Sequence, residues 1–132
     1  MSGLYLDSSA LVKLVVSEPE SVGLHRFLVD WPERLTSALA AVEVRRALRR
    51  ARVGVAAQRR GEALLARVAL IAIDDDVLQA ASRVSPAELR SLDAIHLATA
   101  LSLGSDLGGM IPYDERLASA ARGARVSTFR PE

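Results

Sequence analysis

The chain has 132 residues, which is enough for one domain with a hydrophobic core. Hydrophobic residues make up 50% of the sequence and aromatic residues only 4%, so the core must be built from aliphatic side chains. The sequence has no cysteine, which excludes disulfide bonds and thiolate metal sites and fits a reducing, cytoplasmic compartment. Because no apolar run is long enough to cross a bilayer, we expect no association with a membrane.

The net charge of +1 hides an uneven distribution of charge along the chain. Residues 43–67 carry eight arginines against two acids. Arginine binds phosphate well because its planar guanidinium group can donate two parallel hydrogen bonds. This segment is therefore a candidate phosphate-binding surface, although an exposed, solvated helix face would have the same composition.

Short apolar runs alternate with stretches of helical periodicity along the whole chain. The predicted strands cover residues 4–6, 35–37, 69–73, 107–111 and 126–129, and residues 35–37 could equally form a turn. The predicted helices cover residues 9–16, 19–30, 38–52, 55–67, 77–84, 93–101 and 116–121, and residues 85–88 have the spacing of a further helix start. This alternation predicts an α/β fold with a parallel, doubly wound central sheet flanked by helices. The helices at 38–52 and 55–67 are expected to form a hairpin that projects from the sheet.

Asp7 comes directly after the first predicted strand and is followed by Ser8 and Ser9. In an open parallel sheet, ligands bind just outside the carboxyl ends of the strands. Asp7 is therefore either a helix cap or part of a site, and one of the two serines is expected to cap the next helix.

Three further acids occupy comparable positions. Glu43 lies beside the apolar face of its predicted helix, Asp93 is in the first turn of another helix, and Asp114 follows a late strand. Asp7, Asp93 and Asp114 can converge on one edge of the sheet, and Glu43 can lean towards it.

Each acid alone has an ordinary explanation. Asp7 and Asp114 can cap helices, Glu43 can pair with Arg46 or Arg50, and Asp93 is favoured by the helix dipole.

Several carboxylates at one site repel each other unless a cation neutralises them. Hard divalent cations such as Mg²⁺ and Mn²⁺ prefer oxygen ligands, and they can promote hydrolysis of a phosphodiester. The combination of Asp7, Glu43, Asp93 and Asp114 therefore predicts a metal site.

The stretches that contain these acids resemble, in the same order, the motifs of PIN-domain ribonucleases and in particular of VapC-type toxins. The four stretches are residues 4–14, 36–48, 92–100 and 113–121. The resemblance implies a single PIN domain over residues 1–132. It also implies an endoribonuclease that depends on Mg²⁺ or Mn²⁺, with Asp7, Glu43, Asp93 and Asp114 as metal ligands and catalytic residues. It further implies a homodimer and a cognate antitoxin that neutralises it.

One position departs from this family pattern. Pro112 stands where the family often has Thr or Ser, so a hydroxyl group that could orient an acid or a water is missing there.

Other conspicuous residues are not assigned to the metal. His96 is expected to pack in the core or to hold a backbone carbonyl group, and the acidic run Asp74–Asp76 is expected to start a helix. The arginine-rich hairpin could contact RNA phosphates, an acidic antitoxin or only solvent.

Three alternative functions remain open at this point. A non-catalytic PIN-like binding module is consistent with the departure at Pro112, and a nuclease that acts on DNA would use the same metal chemistry. A phospho-acceptor signalling domain is less consistent, since it needs a lysine after a late strand, whereas the single lysine here is Lys13.

Overall fold

The computed structural model describes residues 2–132, so residue 1 of the predicted domain lies outside the described residues. The centre of the fold is a four-stranded sheet in the order β3-β2-β1-β4, and every paired neighbour is parallel. The strands are β1 (Gly3–Leu6), β2 (Arg34–Ser37), β3 (Ala69–Ile71) and β4 (Leu107–Ile111). The helices are α1 (Ser8–Lys13), α2 (Ser21–Leu28), α3 (Leu39–Arg50), α4 (Val55–Arg67), α5 (Asp75–Ala81), α6 (Ser91–Leu101) and α7 (Glu115–Gly123). The predicted parallel α/β fold is confirmed.

Strand β1 is central in the sheet and is buried on both faces. Because successive side chains of a strand point to opposite faces, Leu4 and Leu6 belong to one core and Tyr5 to another. The first core also contains residues of α1, α2, α3 and α4, and the second contains residues of α6 and α7. Helices therefore cover both faces of the sheet, as the predicted doubly wound arrangement requires.

Helices α3 and α4 form the predicted hairpin. Val44, Leu48 and Leu65 on its inner side are part of the first core. On its outer side, Arg45 forms two hydrogen bonds of 2.8 Å with Glu62 of the other helix. The helical periodicity thus separates an apolar inner face from an arginine-rich outer face.

The predicted last strand over residues 126–129 is wrong, because the tail forms only an isolated bridge between Thr128 and Met110. The packing of Phe129, the residue after Thr128, accounts for the path of the tail. The ring of Phe129 packs against Phe27 and Trp31 at centroid distances of 5.1 and 5.9 Å, and this contact holds the tail beside the edge of β4.

The helix start predicted at residues 85–88 is also wrong. This segment forms turns, with a backbone hydrogen bond of 3.0 Å from the N–H of Leu89 to the carbonyl oxygen of Pro86. The extended backbone of Arg90 then separates the turn from α6, which begins at Ser91. None of the helices between residues 2 and 132 is long and apolar enough to cross a membrane.

Candidate functional site

The four predicted site residues lie on elements that meet at the carboxyl edge of the sheet. Asp7 follows β1, Asp114 follows β4 after two intervening residues, and Asp93 is in the first turn of α6. Glu43 is on α3, which leaves the same edge after β2. In a parallel sheet, the helices run back from the carboxyl edge, so the starts of α1, α3, α6 and α7 are brought to one side of the molecule.

Asp7 is the most deeply buried of these acids, with an exposed fraction of only 4%. Its Oδ1 accepts hydrogen bonds of 2.8 Å from the backbone N–H of Ala10 and from the hydroxyl group of Ser9. Asp7 is therefore the cap of α1, and the prediction that Ser8 or Ser9 caps this helix is wrong, because the Asp7 carboxylate takes the Ala10 N–H itself.

Burial raises the pKa of Asp7 to about 6, although the hydrogen bonds from Ala10 and Ser9 act in the opposite direction. An ionised Asp7 is therefore costly unless positive charge faces it, which is the situation of a carboxylate placed to receive a cation.

Glu43 is held by a hydrogen-bonded chain that starts at the central strand. The hydroxyl group of Tyr5 lies 2.7 Å from Nδ1 of His96, and Nε2 of His96 lies 2.6 Å from Oε1 of Glu43. Ser8 donates a further hydrogen bond to the same Glu43 oxygen. Tyr5 belongs to one core and α3 to the other, so this chain joins the helices of both faces over the end of β1.

The protonation states in this chain follow from burial and from charge. Burial raises the pKa of Tyr5 above its ordinary value, so the phenol keeps its proton and can donate it to Nδ1 of His96. Burial alone would raise the pKa of Glu43, but the hydrogen bonds from His96 and Ser8 outweigh it and hold that pKa below its ordinary value. Nε2 of His96 is then the protonated nitrogen and donates to an ionised Glu43.

The structure excludes one alternative for Glu43 and confirms that His96 is packed in the interior. Glu43 does not pair with Arg46 or Arg50, because its side chain is turned towards His96 and Ser8. His96 is buried as expected, but its ring bonds to two side chains rather than to a backbone carbonyl group.

Asp93 and Asp114 form the outer part of the acidic edge, and Arg90 links them. Nη2 of Arg90 lies 3.2 Å from Oδ2 of Asp93 and 3.6 Å from Oδ2 of Asp114. Nε of Arg90 donates a hydrogen bond of 3.2 Å to the same Asp93 oxygen. Asp114 also caps α7, since its Oδ1 accepts from the N–H groups of Arg116 and Leu117 at 2.9 and 3.1 Å.

The chemistry of this donor set fits a hard divalent cation, because all four candidates offer carboxylate oxygens. Within residues 2–132, however, no group of three or more potential ligands lies at metal-binding spacing. Glu43 is turned towards His96, and the guanidinium group of Arg90 lies against the other pair. Binding of a metal by all four acids would therefore require Arg90 and the two acids that it contacts to reorient.

The serines after Asp7 supply hydroxyl groups to this edge. Ser8 donates to Glu43 and Ser9 donates to Asp7, so both orient acids rather than cap α1.

The roles of Arg90 and His96 were missed from the sequence. Arg90 stands three residues before Asp93, a spacing at which side chains can meet at a helix start, and this signal could have identified it. The role of Tyr5 as the partner of His96 depends on tertiary structure, since the two residues are 91 positions apart.

Two other conspicuous groups have ordinary roles. Asp74 caps α5 through a hydrogen bond of 2.9 Å from the N–H of Val77, which confirms that the acidic run starts a helix. Lys13 pairs with Glu18 at 3.3 Å and with Glu20 at 2.9 Å.

Comparison with known proteins gives the family. The model of the PIN domain matches residues 4–123. The chain is 47% identical over 131 residues to Ribonuclease VapC46 of Mycobacterium tuberculosis, and the match covers 99% of each chain. It is 38% identical to Ribonuclease VapC47 of the same species, with 97% of this chain and 96% of the relative covered.

Solved structures agree on the fold. Mycobacterium tuberculosis VapC20, described as a sarcin-ricin loop cleaving toxin, superposes with a TM-score of 0.77 at 20% identity, over 98% of this chain and all of that one (100%). A toxin–antitoxin complex from Klebsiella pneumoniae gives a TM-score of 0.74 at 22% identity, over 99% of this chain and 98% of the other. The fold, the order of the motifs and the full-length similarity together establish that this chain belongs to the PIN-domain family, in its VapC branch.

Proposed function

We propose that this protein is a metal-dependent endoribonuclease that hydrolyses RNA phosphodiester bonds in the cytoplasm, as the toxin of a toxin–antitoxin pair. The observation that carries the proposal is the placement of four carboxylates at one edge of the sheet, one of them almost completely buried. The 47% identity to a protein named as a ribonuclease supports the same activity here.

In this proposal, Asp7, Glu43, Asp93 and Asp114 hold one or two Mg²⁺ ions, and Mn²⁺ can substitute. A divalent ion, when bound, would neutralise charge on the phosphate and lower the pKa of a water molecule bound to it. The buried Asp7 is fixed by Ala10 and by Ser9, so its second oxygen is the one available to a ligand.

Glu43 is kept ionised and correctly placed by protein groups alone. His96 and Ser8 both donate to Oε1, which leaves Oε2 for a ligand and fixes the plane of the carboxylate. Asp93 and Asp114 contact the mostly exposed Arg90, and a phosphate group of the substrate could approach them there together with the metal.

The partners are also part of the proposal. A structural relative is described as a toxin–antitoxin complex, and this supports a cognate antitoxin as the protein that neutralises this chain. We further propose that the protein is a homodimer, which light scattering of the purified protein at several concentrations would test.

Cleavage of a labelled, structured RNA pool tests the activity. The purified protein is incubated with Mg²⁺, with Mn²⁺ or with EDTA, and a DNA pool of the same sequences is run in parallel. We expect RNA cleavage with either metal and none in EDTA. We also expect Asp93→Asn to lose at least about a hundredfold in rate, because the variant lacks one of the carboxylates that would hold the metal ion.

Asp76→Asn is the matched control for this variant. Both acids lie in the first turn of a helix, Asp76 in α5 and Asp93 in α6, so the two changes have the same effect on a helix start. Equal loss of activity in both variants, or cleavage that persists in EDTA, would contradict the proposed metal site. Cleavage of the DNA pool but not of the RNA pool would contradict the proposed substrate.

A non-catalytic binding module is the second candidate, and a specific observation favours it. Among the described residues, no three ligands are gathered at metal-binding spacing, and Arg90 pairs with two of the acids. Folded protein that binds RNA but cleaves neither pool with either metal would support this candidate over the nuclease.

A further inference from the structure

Arg90 holds an unusual position for an exposed arginine. It is the residue that precedes the first turn of α6, its side chain is 63% exposed, and its guanidinium group contacts acids on two different elements. Asp93 receives both Nε and Nη2 at 3.2 Å, and Asp114 receives Nη2 at 3.6 Å.

The positive charge of Arg90 also acts on Glu43. Arg90 contributes to the lowered pKa of Glu43, after the effects of burial and of the hydrogen bonds from His96 and Ser8. One guanidinium group thus contacts two of the four candidate metal ligands and acts through its charge on a third. By contrast, the exposed Arg45 pairs with Glu62 alone, on the outer face of the α3–α4 hairpin.

We propose that Arg90 is an exchangeable counter-ion of the acidic edge. It competes with a divalent metal for Oδ2 of Asp93 and Oδ2 of Asp114, and it moves to a phosphate group of the RNA when a metal holds those oxygens. This inference rests on the proposed function and adds a substrate-binding residue to it.

The exchange is feasible because each of its steps costs little free energy. Solvent weakens both ion pairs because the guanidinium group is mostly exposed, so a divalent ion that displaces it faces only a weak competitor. Its exposure lets the side chain rotate without disturbing the core. Once released, the planar guanidinium can bind two phosphate oxygens in parallel, which lysine cannot do.

The first test is the affinity for Mn²⁺ without RNA, measured by titration calorimetry. Arg90→Met keeps an unbranched side chain that replaces the stem of arginine and removes the competing charge, so we expect Mn²⁺ to bind about fivefold more tightly. Arg45→Met is the matched control, since it removes one charge of similar exposure from an ion pair that contains none of the four acids. We expect this control to bind Mn²⁺ as the wild type does.

The second test is the affinity for RNA in the presence of Mn²⁺, measured as a function of salt concentration. Asp7→Asn serves as the background, at a Mn²⁺ concentration that calorimetry shows to saturate this variant, because it prevents cleavage in the proposed function and leaves Arg90, Asp93 and Asp114 intact. Adding Arg90→Met should weaken binding and reduce the slope of log affinity against log salt by about one. Adding Arg90→Lys should keep the slope and bind with intermediate affinity.

The outcomes separate this inference from the proposed function. If the wild type binds Mn²⁺ and cleaves RNA, but Arg90→Met binds Mn²⁺ no more tightly than Arg45→Met, the counter-ion role is wrong and the nuclease stands. An unchanged salt slope in the Asp7→Asn background would overturn the contact with phosphate. A wild type that neither binds Mn²⁺ nor cleaves RNA overturns both proposals.

Discussion

The acidic edge of the sheet has an inner half and an outer half that differ in how their charges are held. In the inner half, Asp7 and Glu43 accept hydrogen bonds from buried or partly buried groups, among them His96, Ser8 and Ser9. In the outer half, the acids are linked through one arginine that is mostly exposed.

This difference sets what each half can do. Fixed donors orient the inner carboxylates before any ligand arrives, which is the preorganisation that a binding site needs. The outer carboxylates share a cation that solvent can reach, so their partner can be replaced at little cost. We therefore expect changes in the inner half to alter stability strongly, and changes in the outer half to alter function with little effect on stability.

The largest expected effect comes from Asp7→Asn. An acid with a raised pKa in the folded state stabilises the fold below its unfolded pKa, and this contribution is lost as the pH rises through the folded value. For Asp7, the pKa is 3.8 in the unfolded chain and about 6 in the folded protein. Asparagine carries no charge at any pH and keeps an oxygen that can accept from Ala10. At about 1.4 kcal/mol per pKa unit, the variant should be up to about 3 kcal/mol more stable above pH 6.

Urea unfolding at pH 4 and at pH 7.5, in buffer with EDTA, measures this gain. The gain in the free energy of unfolding should be large at pH 7.5 and should nearly vanish at pH 4. The surface change Asp76→Asn is the control for the loss of a negative charge. An Asp7→Asn protein that is less stable than the wild type at pH 7.5 would show that the buried charge is already compensated.

Tyr5→Phe is expected to have the next largest effect, in the destabilising direction. The phenylalanine ring fills the same space, but Nδ1 of His96 loses its partner in a buried site. An unsatisfied buried polar group of this kind costs about 1–2 kcal/mol. Thermal unfolding followed by circular dichroism measures this cost. A variant as stable as the wild type would mean that His96 finds another partner, and the inner half would then be less rigid than described.

Much of the fold could be predicted from the sequence, because the pattern of β1 and of the longer helices is strong. The run Leu4–Leu6 has the period and the boundaries of a strand. The second hairpin helix ends at Arg67 as expected, and the first ends at Arg50, two residues before its predicted end. The segments at 85–88 and 126–129 were predicted wrongly, because their local signals were overridden by a turn that ends at Leu89 and by the packing of Phe129.

The candidate site could be predicted as a set of acids but not as a network. Each acid follows a strand or lies on a helix at a position that the chain pattern identifies, and the topology brings these positions to one edge. The partners of the acids come from distant parts of the chain. Tyr5 reaches His96 only because α6 packs on the face of β1 that carries Tyr5, and this packing leaves no local signal.

A smaller effect on stability is expected for Asp114→Asn in the outer half. Asparagine caps helices as well as aspartate does, so the hydrogen bonds to Arg116 and Leu117 can persist. The free energy of unfolding should change by less than about 0.5 kcal/mol, since only an exposed ion pair with Arg90 is lost. The same variant should lose RNA cleavage by at least about a hundredfold, if Asp114 holds the metal. If the variant loses much of its stability but retains its activity, Asp114 stabilises the fold and does not hold the metal.

The smallest expected effect is the coupling between Arg90 and Asp114, which a double-mutant cycle measures. Arg90→Met, Asp114→Asn and the double variant should give an interaction energy below about 0.5 kcal/mol in urea unfolding, because the pair is exposed and its atoms are 3.6 Å apart. The same cycle on Tyr5→Phe and His96→Phe should give more than about 1 kcal/mol, because both groups are buried and each satisfies the other. Equal coupling in the two pairs would remove the distinction between the fixed inner half and the exchangeable outer half. Strong coupling between Arg90 and Asp114 would instead identify a structural ion pair that a metal could not displace easily.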